Sequence, residues 1–375
     1  MIIGIDATPL PQRPVGAGHY IIQLIRALAR QAGDEQLVVF CQRSGVPLLG
    51  VSESPRLRLV TLPDKSPPMR LLWEQVIFPS LANHYRLDLL HSLHYTMPLA
   101  YPGRRVVTLH DMTFFLFPHL HTLPKRYFFR FFIRTSSRRA DALIADSEST
   151  RQDAIRLAGT PPEKIFTAQL GVTPEFRQVR DQIPLQQVRQ KYQLPEHFLL
   201  YVGLLEPRKN LPTLLQAYAA IADQLPGHRL VIAGRKGWMF EEVLRQVEQS
   251  NLAEKIHFTG YVEQSDLPLV YNMADVFIYP SIYEGFGLPV LEAMACGTPV
   301  ITSSVSSMPE IVGDAGVLLS PDDPRALAGA MLHLVNDPAE RQRLSHRGLE
   351  RAAAFTWERT AAQTIAVYHH VLSSA

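Results

Sequence analysis

Short runs of aliphatic and β-branched residues alternate along this chain with longer stretches whose apolar positions recur every three or four residues. Continuous apolar runs bounded by turn residues fit strands covered on both faces, and the longer spacing fits amphipathic helices, so parallel α/β sheets are expected. In the first half, strands are predicted at Ile2 to Ile5, Leu37 to Phe40, Leu57 to Leu62, Leu87 to His91, Val106 to Leu109 and Leu143 to Ala145. Helices fall between them, Tyr20 to Arg30 among them. From about residue 181 the pattern restarts, after a polar stretch, Arg177 to Gln190, that reads as a linker. Strands recur at Phe198 to Val202, Arg229 to Ala233, Lys255 to Thr259, Val276 to Tyr279, Pro299 to Thr302 and Gly316 to Leu319. The prediction is therefore two doubly wound α/β domains, 1–180 and 181–355, followed by a last helix within 356–375, roughly Trp357 to Leu372. Ligands of such sheets bind beyond the carboxyl ends of the strands, which points to a cleft between the domains.

Composition narrows the class. The 375 residues exceed one compact core, and 46% apolar with 19% charged residues describes an ordinary globular protein. Two cysteines far apart, Cys41 and Cys296, argue against a disulfide framework or a cysteine zinc site and fit a reducing cytosol. Met1-Ile2-Ile3-Gly4-Ile5-Asp6 reads as a strand rather than a signal peptide, and no apolar run reaches the length of a membrane span. A cytoplasmic location is expected.

Charge is unevenly spread. Residues 1–180 hold 22 Lys/Arg against 14 Asp/Glu, a net of +8, while the remainder holds 15 against 21, a net of −6. A basic half suggests an anionic partner. No nucleic-acid-binding motif is present, so an anionic membrane surface or lipid-linked phosphate is the better candidate. Residues 124–139 lack acidic residues and carry Lys125, Arg126, Arg130, Arg134, Arg138 and Arg139. At 100° per residue, Arg126, Arg130, Arg134 and Arg138 form a stripe opposite Phe128, Phe129, Phe132 and Ile133. Such a helix either packs with its basic face in water or rests on anionic lipid at the inner membrane face.

The most informative segment runs from Tyr279 to Val300. A buried strand leads into a loop with Glu284, Gly285, Phe286, Gly287 and Leu288, then a helix for which Pro289 suits the first position. Glu292 then lies about one turn in. Glycines let a ligand approach the backbone, and helix-start N–H groups suit an anion. Read alone, the segment is equally a structural strand-turn-helix with Glu292 complementing the dipole. Upstream, Gly203-Leu204-Leu205-Glu206-Pro207-Arg208-Lys209-Asn210 follows a strand and precedes a helix. Arg208 and Lys209 there can neutralise a diphosphate as it departs, although such pairs are commonly solvated surface charge. Gly16 and Gly18 lie between the first strand and first helix, where they allow a tight turn beside phosphate. His110 and Asp111 end the fifth strand, and Gly260, Tyr261 and Val262 follow the strand of the second half that begins at Lys255.

These motifs, in this order and over nearly the whole chain, resemble the GT-B glycosyltransferases of family 4, the "glycosyl transferases group 1" class, whose E-x7-E signature matches Glu284 and Glu292. The resemblance implies a GT-B fold of two Rossmann-like domains around an interdomain cleft, with the last helix crossing back to the first domain. It implies that Glu292 accepts hydrogen bonds from the donor ribose, that Glu284 lies near the transferred sugar, and that the amides around Phe286 and Gly287 meet sugar and diphosphate. Arg208 and Lys209 match the donor-diphosphate pair, and Gly203 opens their turn. Gly16 and Gly18 match a loop reaching the donor, and Gly260, Tyr261 and Val262 match the turn that meets the base. His110 would contact and orient the transferred sugar without acting as a proton-abstracting base. Asp111 is an acceptor-side candidate or orders its loop. Ser306-Ser307-Met308-Pro309-Glu310 and Gly313-Asp314-Ala315-Gly316 match mainly as structure.

The activity implied is retaining transfer of a hexose from a nucleotide diphosphate sugar to a glycan or lipid-linked acceptor in polysaccharide biosynthesis. GDP-mannose is favoured over UDP-glucose because the His-Asp and Gly-Asp-Ala forms look most like bacterial mannosyltransferases. No cofactor and no metal are expected, since no Asp-x-Asp and no Asp/His cluster of metal-ligand spacing occurs. Two rivals stand beside it: a nucleotide-sugar epimerase, and a noncatalytic nucleotide-sugar-binding protein.

Overall fold

The computed structural model describes residues 1–31, 33–234, 237, 245, 247 and 252–373. The chain forms two compact units, Met1–Gly171 with Thr356–Ala375, and Val172–Phe355. Each is an all-parallel sheet among helices, as expected for strands without an exposed face.

The first unit has seven strands, β1 (Ile2–Asp6), β2 (Gln36–Gln42), β3 (Leu57–Leu62), β4 (Leu89–Ser92), β5 (Arg104–Leu109), β6 (Ala142–Ala145) and β7 (Ile165–Thr167), ordered 3-2-1-4-5-6-7. The order reverses between β1 and β4, where Ile3 pairs with Leu89 and Ile5 with His91. Strand β7 is absent from the sequence reading: its run Ile165-Phe166-Thr167 is short and opens directly after the charged Glu163-Lys164. Strand β4 starts at Leu89 rather than Leu87, because the Asp88 carboxylate accepts the backbone N–H of Ile2 at 2.7 Å and Asp88 donates to the Ile2 carbonyl at 2.9 Å.

The helix Trp357–Ser373 packs within this unit against the helix Ala17–Gln31. Thr360, Thr364, Val367, Tyr368 and Val371 form its buried face. Removing an aliphatic side chain such as Val367 or Val371 from water is worth about 1.5–3 kcal/mol. Tyr368 OH meets His91 Nδ1 at 2.7 Å and Thr360 Oγ1 donates to the Gln169 carbonyl at 2.7 Å, so the helix is keyed by polar contacts as well.

The second unit has six strands among the described residues, β8 (His197–Val202), β9 (His228–Ala233), β10 (Ile256–Gly260), β11 (Val276–Tyr279), β12 (Val300–Ser303) and β13 (Val317–Leu319), ordered 10-9-8-11-12-13. Its reversal lies between β8 and β11, where Val276 pairs with Leu199. The polar stretch read as a linker belongs to this unit instead. Val179 N–H donates to Asn272 Oδ1 at 2.7 Å, and Asp181 caps the helix Gln182–Lys191 through the N–H of Ile183. Its polar residues are the wet face of a helix that buries Leu185 and Val188.

The basic helix spans Leu123–Arg139 and buries Phe132 and Ile133. Its basic face is not uniformly in water: Arg130 Nε donates to the Phe114 carbonyl at 2.7 Å and Nη2 to that of Phe115 at 3.3 Å. Leu123, Tyr127 and Phe131, spaced by four residues, remain exposed.

Candidate active site

The reversal between β8 and β11 is where open α/β sheets bind ligands. After β8, Gly203 donates its N–H to the Ala233 carbonyl at 2.9 Å, and Pro207–Lys209 make one tight turn ahead of the helix Leu211–Ile221. This turn faces the loop after β11. Arg208 Nη1 donates to Glu284 Oε2 and to the Tyr283 carbonyl, both at 2.8 Å, while Nη2 donates to Glu206 Oε1 at 2.7 Å. Lys209 Nζ donates to Glu284 Oε1 at 2.6 Å and to Tyr279 OH. Ser281 Oγ donates to the same oxygen at 2.6 Å.

Burial alone would raise the Glu284 carboxyl, but Arg208, Lys209 and their hydrogen bonds outweigh it and hold the group at about 2. Burial pulls Lys209 below the ordinary lysine value, helped by Arg208 and opposed by Glu284. The two cations are thus balanced by Glu284 and Glu206. Of the three donors on a lysine ammonium, Tyr279 and Glu284 engage two of Lys209's.

The loop itself is strapped down. Ser306 Oγ meets the N–H of Glu284 at 3.0 Å and also its carbonyl, while Ser307 Oγ donates to the carbonyls of Glu284 and Phe286. Phe286 is buried and packs edge-on to Phe355, so its backbone is the part of it left for a ligand. Gly287, with φ of 118°, precedes the helix Leu288–Ala295, and a Cβ there would lie 2.2 Å from Met308 Cε. Only glycine fits. The helix starts at Leu288, one residue before the predicted Pro289, since the first-turn N–H groups have no partner within the helix and proline suits the second position as well. Glu292 follows one turn in. Burial pushes its carboxyl up to about 7, against which only the Tyr271 hydroxyl, at 3.2 Å, acts.

Gly260 ends β10, and its carbonyl accepts the N–H of Gly234 at 2.9 Å. Tyr261 is half exposed and Val262 buried. Gly203, Arg208, Lys209, Gly260 to Val262, and Glu284 to Leu288 therefore all lie at the carboxyl ends of strands β8, β10 and β11 of one sheet.

In the first unit, Gly16 precedes the helix Ala17–Gln31 and its carbonyl accepts the Tyr20 N–H at 3.1 Å, while Gly18 lies in the first turn. His110 follows β5 and is buried. Its Nδ1 meets Asp146 Oδ2 at 2.8 Å and its Nε2 the Leu93 carbonyl at 2.9 Å. Burial would lower its pKa, but Asp146, the Leu93 carbonyl and Asp111 together raise it above the ordinary histidine value. With Asp146 and the Leu93 carbonyl on its two ring nitrogens, the ring keeps no free lone pair with which to take a proton. Tyr20 supports the ring edge-on at 4.9 Å, and His94, pushed down to about 3 by burial and by His110, lies 5.6 Å away. Asp111 accepts from the N–H and hydroxyl of Thr113 at 2.9 and 2.7 Å, and so orders its own loop.

Comparison with known proteins decides the family. Residues 185–351 match the family described as glycosyl transferases group 1, and residues 14–176 match glycosyltransferase family 4. An O-antigen chain mannosyltransferase B of Escherichia coli is 32% identical over 96% of this chain and 97% of its own length. The chain belongs to the group 1 glycosyltransferases of family 4.

This glycosyltransferase is also 32% identical, over 63% of its length, to the serotype-specific mannosyltransferase WbdA of Escherichia coli, of which it spans only 30%. A sucrose-phosphate synthase from Thermosynechococcus elongatus shares its GT-B fold with a TM-score of 0.80 at 24% identity, covering all of both chains. Anabaena HepE, solved with UDP and glucose, does so with a TM-score of 0.77 at 18% identity, again over both whole chains. The family match disfavours the epimerase and noncatalytic readings. No helix among the described residues is long and apolar enough to cross a membrane.

Several polar residues of the glycosyltransferase escaped the sequence reading. Asp146, Glu206, Tyr271, Tyr279 and Ser281 all touch predicted site residues. Asp146 follows the short strand β6, and an acid at a strand's carboxyl end is a signal that could have found it. Asp6 ends β1 beside Arg70 and Glu74, which pair at 2.8 Å, and Glu74 also accepts from Thr96 at 2.9 Å. Burial and Asp6 push Glu74 up to about 7.

Proposed function

We propose that this glycosyltransferase moves a hexose, mannose in preference to glucose, from a nucleotide diphosphate sugar to a hydroxyl of a glycan or lipid-linked acceptor in polysaccharide assembly. The observation that carries the reading is the cluster of Arg208, Lys209 and Glu284 at the reversal between β8 and β11, one helical turn from Glu292. The likeness to mannosyltransferases supports mannose, hence GDP-mannose ahead of UDP-glucose.

In this reading the donor diphosphate competes with Glu284 for Arg208 and Lys209 and takes further N–H groups from the start of the helix Leu288–Ala295. Glu284, loosened from the cations, serves the transferred sugar. Glu292 accepts from the ribose hydroxyls, and Gly260, Tyr261 and Val262 meet the base. As the bond between the sugar C1 and the diphosphate oxygen breaks, its electron pair goes to that oxygen. The acceptor hydroxyl attacks C1 from the same face and passes its proton to the departing phosphate, so configuration is retained. Charge developing on the diphosphate is met by the two cations and the helix amides, so no metal is required for it.

Thermal shifts over a panel of sugar nucleotides test the donor, since selective binding raises apparent stability. NMR of the product tests retention. Stabilisation by GDP-mannose alone and an α-linked product are expected. An inverted product, or no response to any sugar nucleotide, defeats the reading.

We also assign the helix Leu123–Arg139 to peripheral contact with an anionic membrane. Its exposed Leu123, Tyr127 and Phe131 lie among Lys125, Arg134 and Arg138, which are exposed as well. Sedimentation with anionic liposomes that falls with salt and is lost in Phe131→Glu is expected; absence of binding at low salt removes the assignment.

A further inference from the structure

The amino edge of the second unit's sheet carries a second polar cluster, remote in chemistry from the diphosphate groups. His197 opens β8, His228 opens β9, and the two residues are direct partners in the parallel ladder. Asp275 immediately precedes β11, the neighbour of β8 on the other side. Three adjacent strands thus begin with two imidazoles and a carboxylate. His197 Nδ1 lies 3.5 Å and His228 Nε2 3.6 Å from Asp275 Oδ2, and one ligand atom from each residue lies within 4.8 Å of the others. The rings are 5.2 Å apart at 33°.

We propose that His197, His228 and Asp275 form a binding site for a divalent cation of the zinc class. Around a tetrahedral zinc with bonds of about 2.0–2.1 Å, neighbouring ligand atoms lie roughly 3.3 Å apart, close to the two imidazole–carboxylate separations of 3.5 and 3.6 Å. Nitrogen-rich sets of this kind favour zinc and its neighbours, whereas magnesium and calcium take oxygen ligands. The backbone beneath is fixed. Asp275 N–H donates to the Phe198 carbonyl and Phe198 N–H to Asp275 Oδ2, both at 3.0 Å, which orients the carboxylate while using one lone pair of the oxygen that faces the two imidazoles. The His228 backbone donates to the Leu225 carbonyl and accepts from the Tyr218 hydroxyl, both at 3.1 Å.

Of the neighbouring charges, Arg341 acts on the His228 ring in the same sense as His197. Arg341 is already occupied by the carbonyls of Leu334 and Val335, and its charge tempers affinity without removing a ligand. His197 is 54% exposed, which leaves water to complete the coordination. The cation would pin three strand starts together. It would take no part in glycosyl transfer, since Arg208, Lys209 and Glu284 follow the opposite ends of the strands.

The test uses the full, tag-free chain stripped with chelator. Titration with ZnCl2 should show one saturable site, Co2+ should develop the visible absorption of a tetrahedral complex, and excess Mg2+ should not compete. His197→Ala and, separately, His228→Ala should weaken zinc binding at least about tenfold. Zinc should raise Tm of the wild type by roughly 3 °C or more and leave both variants unmoved. Should His228→Ala fail to fold, the exposed His197→Ala decides alone. Zinc binding of wild-type strength in His197→Ala, or no saturable binding by the wild type, overturns the proposal.

Discussion

The carboxyl edges of the two sheets hold their buried charges in different ways. In the second unit, Glu284 is ionised against burial because two cations and two hydroxyls converge on it, and those cations belong to a turn that also borders a helix start. In the first unit, the pKa of His110 is raised against burial because Asp146 and the Leu93 carbonyl close on both ring nitrogens. The former can exchange partners with an arriving anion. The latter is a closed pair that fixes a ring in place. One edge is built to trade charge and the other to hold position.

Removing the acid at the centre of the trading edge should have the largest effect. Glu284→Ala leaves Arg208 and Lys209 facing each other with little solvent, and a loss of about 3–5 kcal/mol is expected in urea unfolding of the second unit. Unchanged stability would mean that water already shares those cations. Lys209→Ala should lower kcat by at least about 100-fold, or ~2.7 kcal/mol, as for a lost oxyanion donor. Near-normal turnover contradicts diphosphate binding there.

The holding edge should respond more mildly. Asp146→Asn removes the carboxylate that offsets the burial of His110, at a cost of about 1.5 kcal/mol. The sign is specific. Because the folded pKa of His110 is raised, the stabilisation it contributes is complete below about 6.5 and is lost as pH rises through the folded value. In the variant, NMR titration of His110 should move below the ordinary histidine value; a titration unchanged from wild type would place the proton elsewhere.

The smallest effect separates the two glutamates of the trading edge. Glu292, held up at about 7 by burial, lacks the cations that hold Glu284 at about 2. Between its unfolded value of 4.5 and about 7, rising pH ionises the unfolded chain first, so this group's contribution to stability falls across that window. Ribose hydroxyls prefer the ionised acceptor. Nucleotide affinity by calorimetry should therefore rise with pH through about 7, on the order of tenfold from pH 6 to 8. Glu292→Ala should abolish the rise and weaken binding, and unchanged affinity would refute the ribose assignment.

The same contrast explains what could be read from the residues alone. At the trading edge the key positions are close in sequence, Glu284 to Glu292 in one run and Arg208 with Lys209 in another, so spacing and turn chemistry were enough to single them out. At the holding edge the partners are distant: Asp146 reaches His110 from the next strand, and Tyr368 reaches His91 from the far end of the chain. No local pattern announces such pairs. His197, His228 and Asp275 are the extreme case, since adjacency in the sheet alone joins them. Strand positions were legible to within two or three residues because buried parallel strands are continuous apolar runs. The change of unit at Gly171–Val172 was not, because composition there does not break, whereas the polar face of the helix Gln182–Lys191 imitates a linker.

The helix Trp357–Ser373 has one more consequence, for biosynthesis. The residues that complete the first unit leave the ribosome after all of Val172–Phe355. At ordinary translation speeds that delay is roughly 10–40 s. During it, the face of Ala17–Gln31 that the helix Trp357–Ser373 will cover stays open, while the second unit has its whole sequence in hand. A released chain ending at Phe355 would thus carry a complete second unit and an incomplete first.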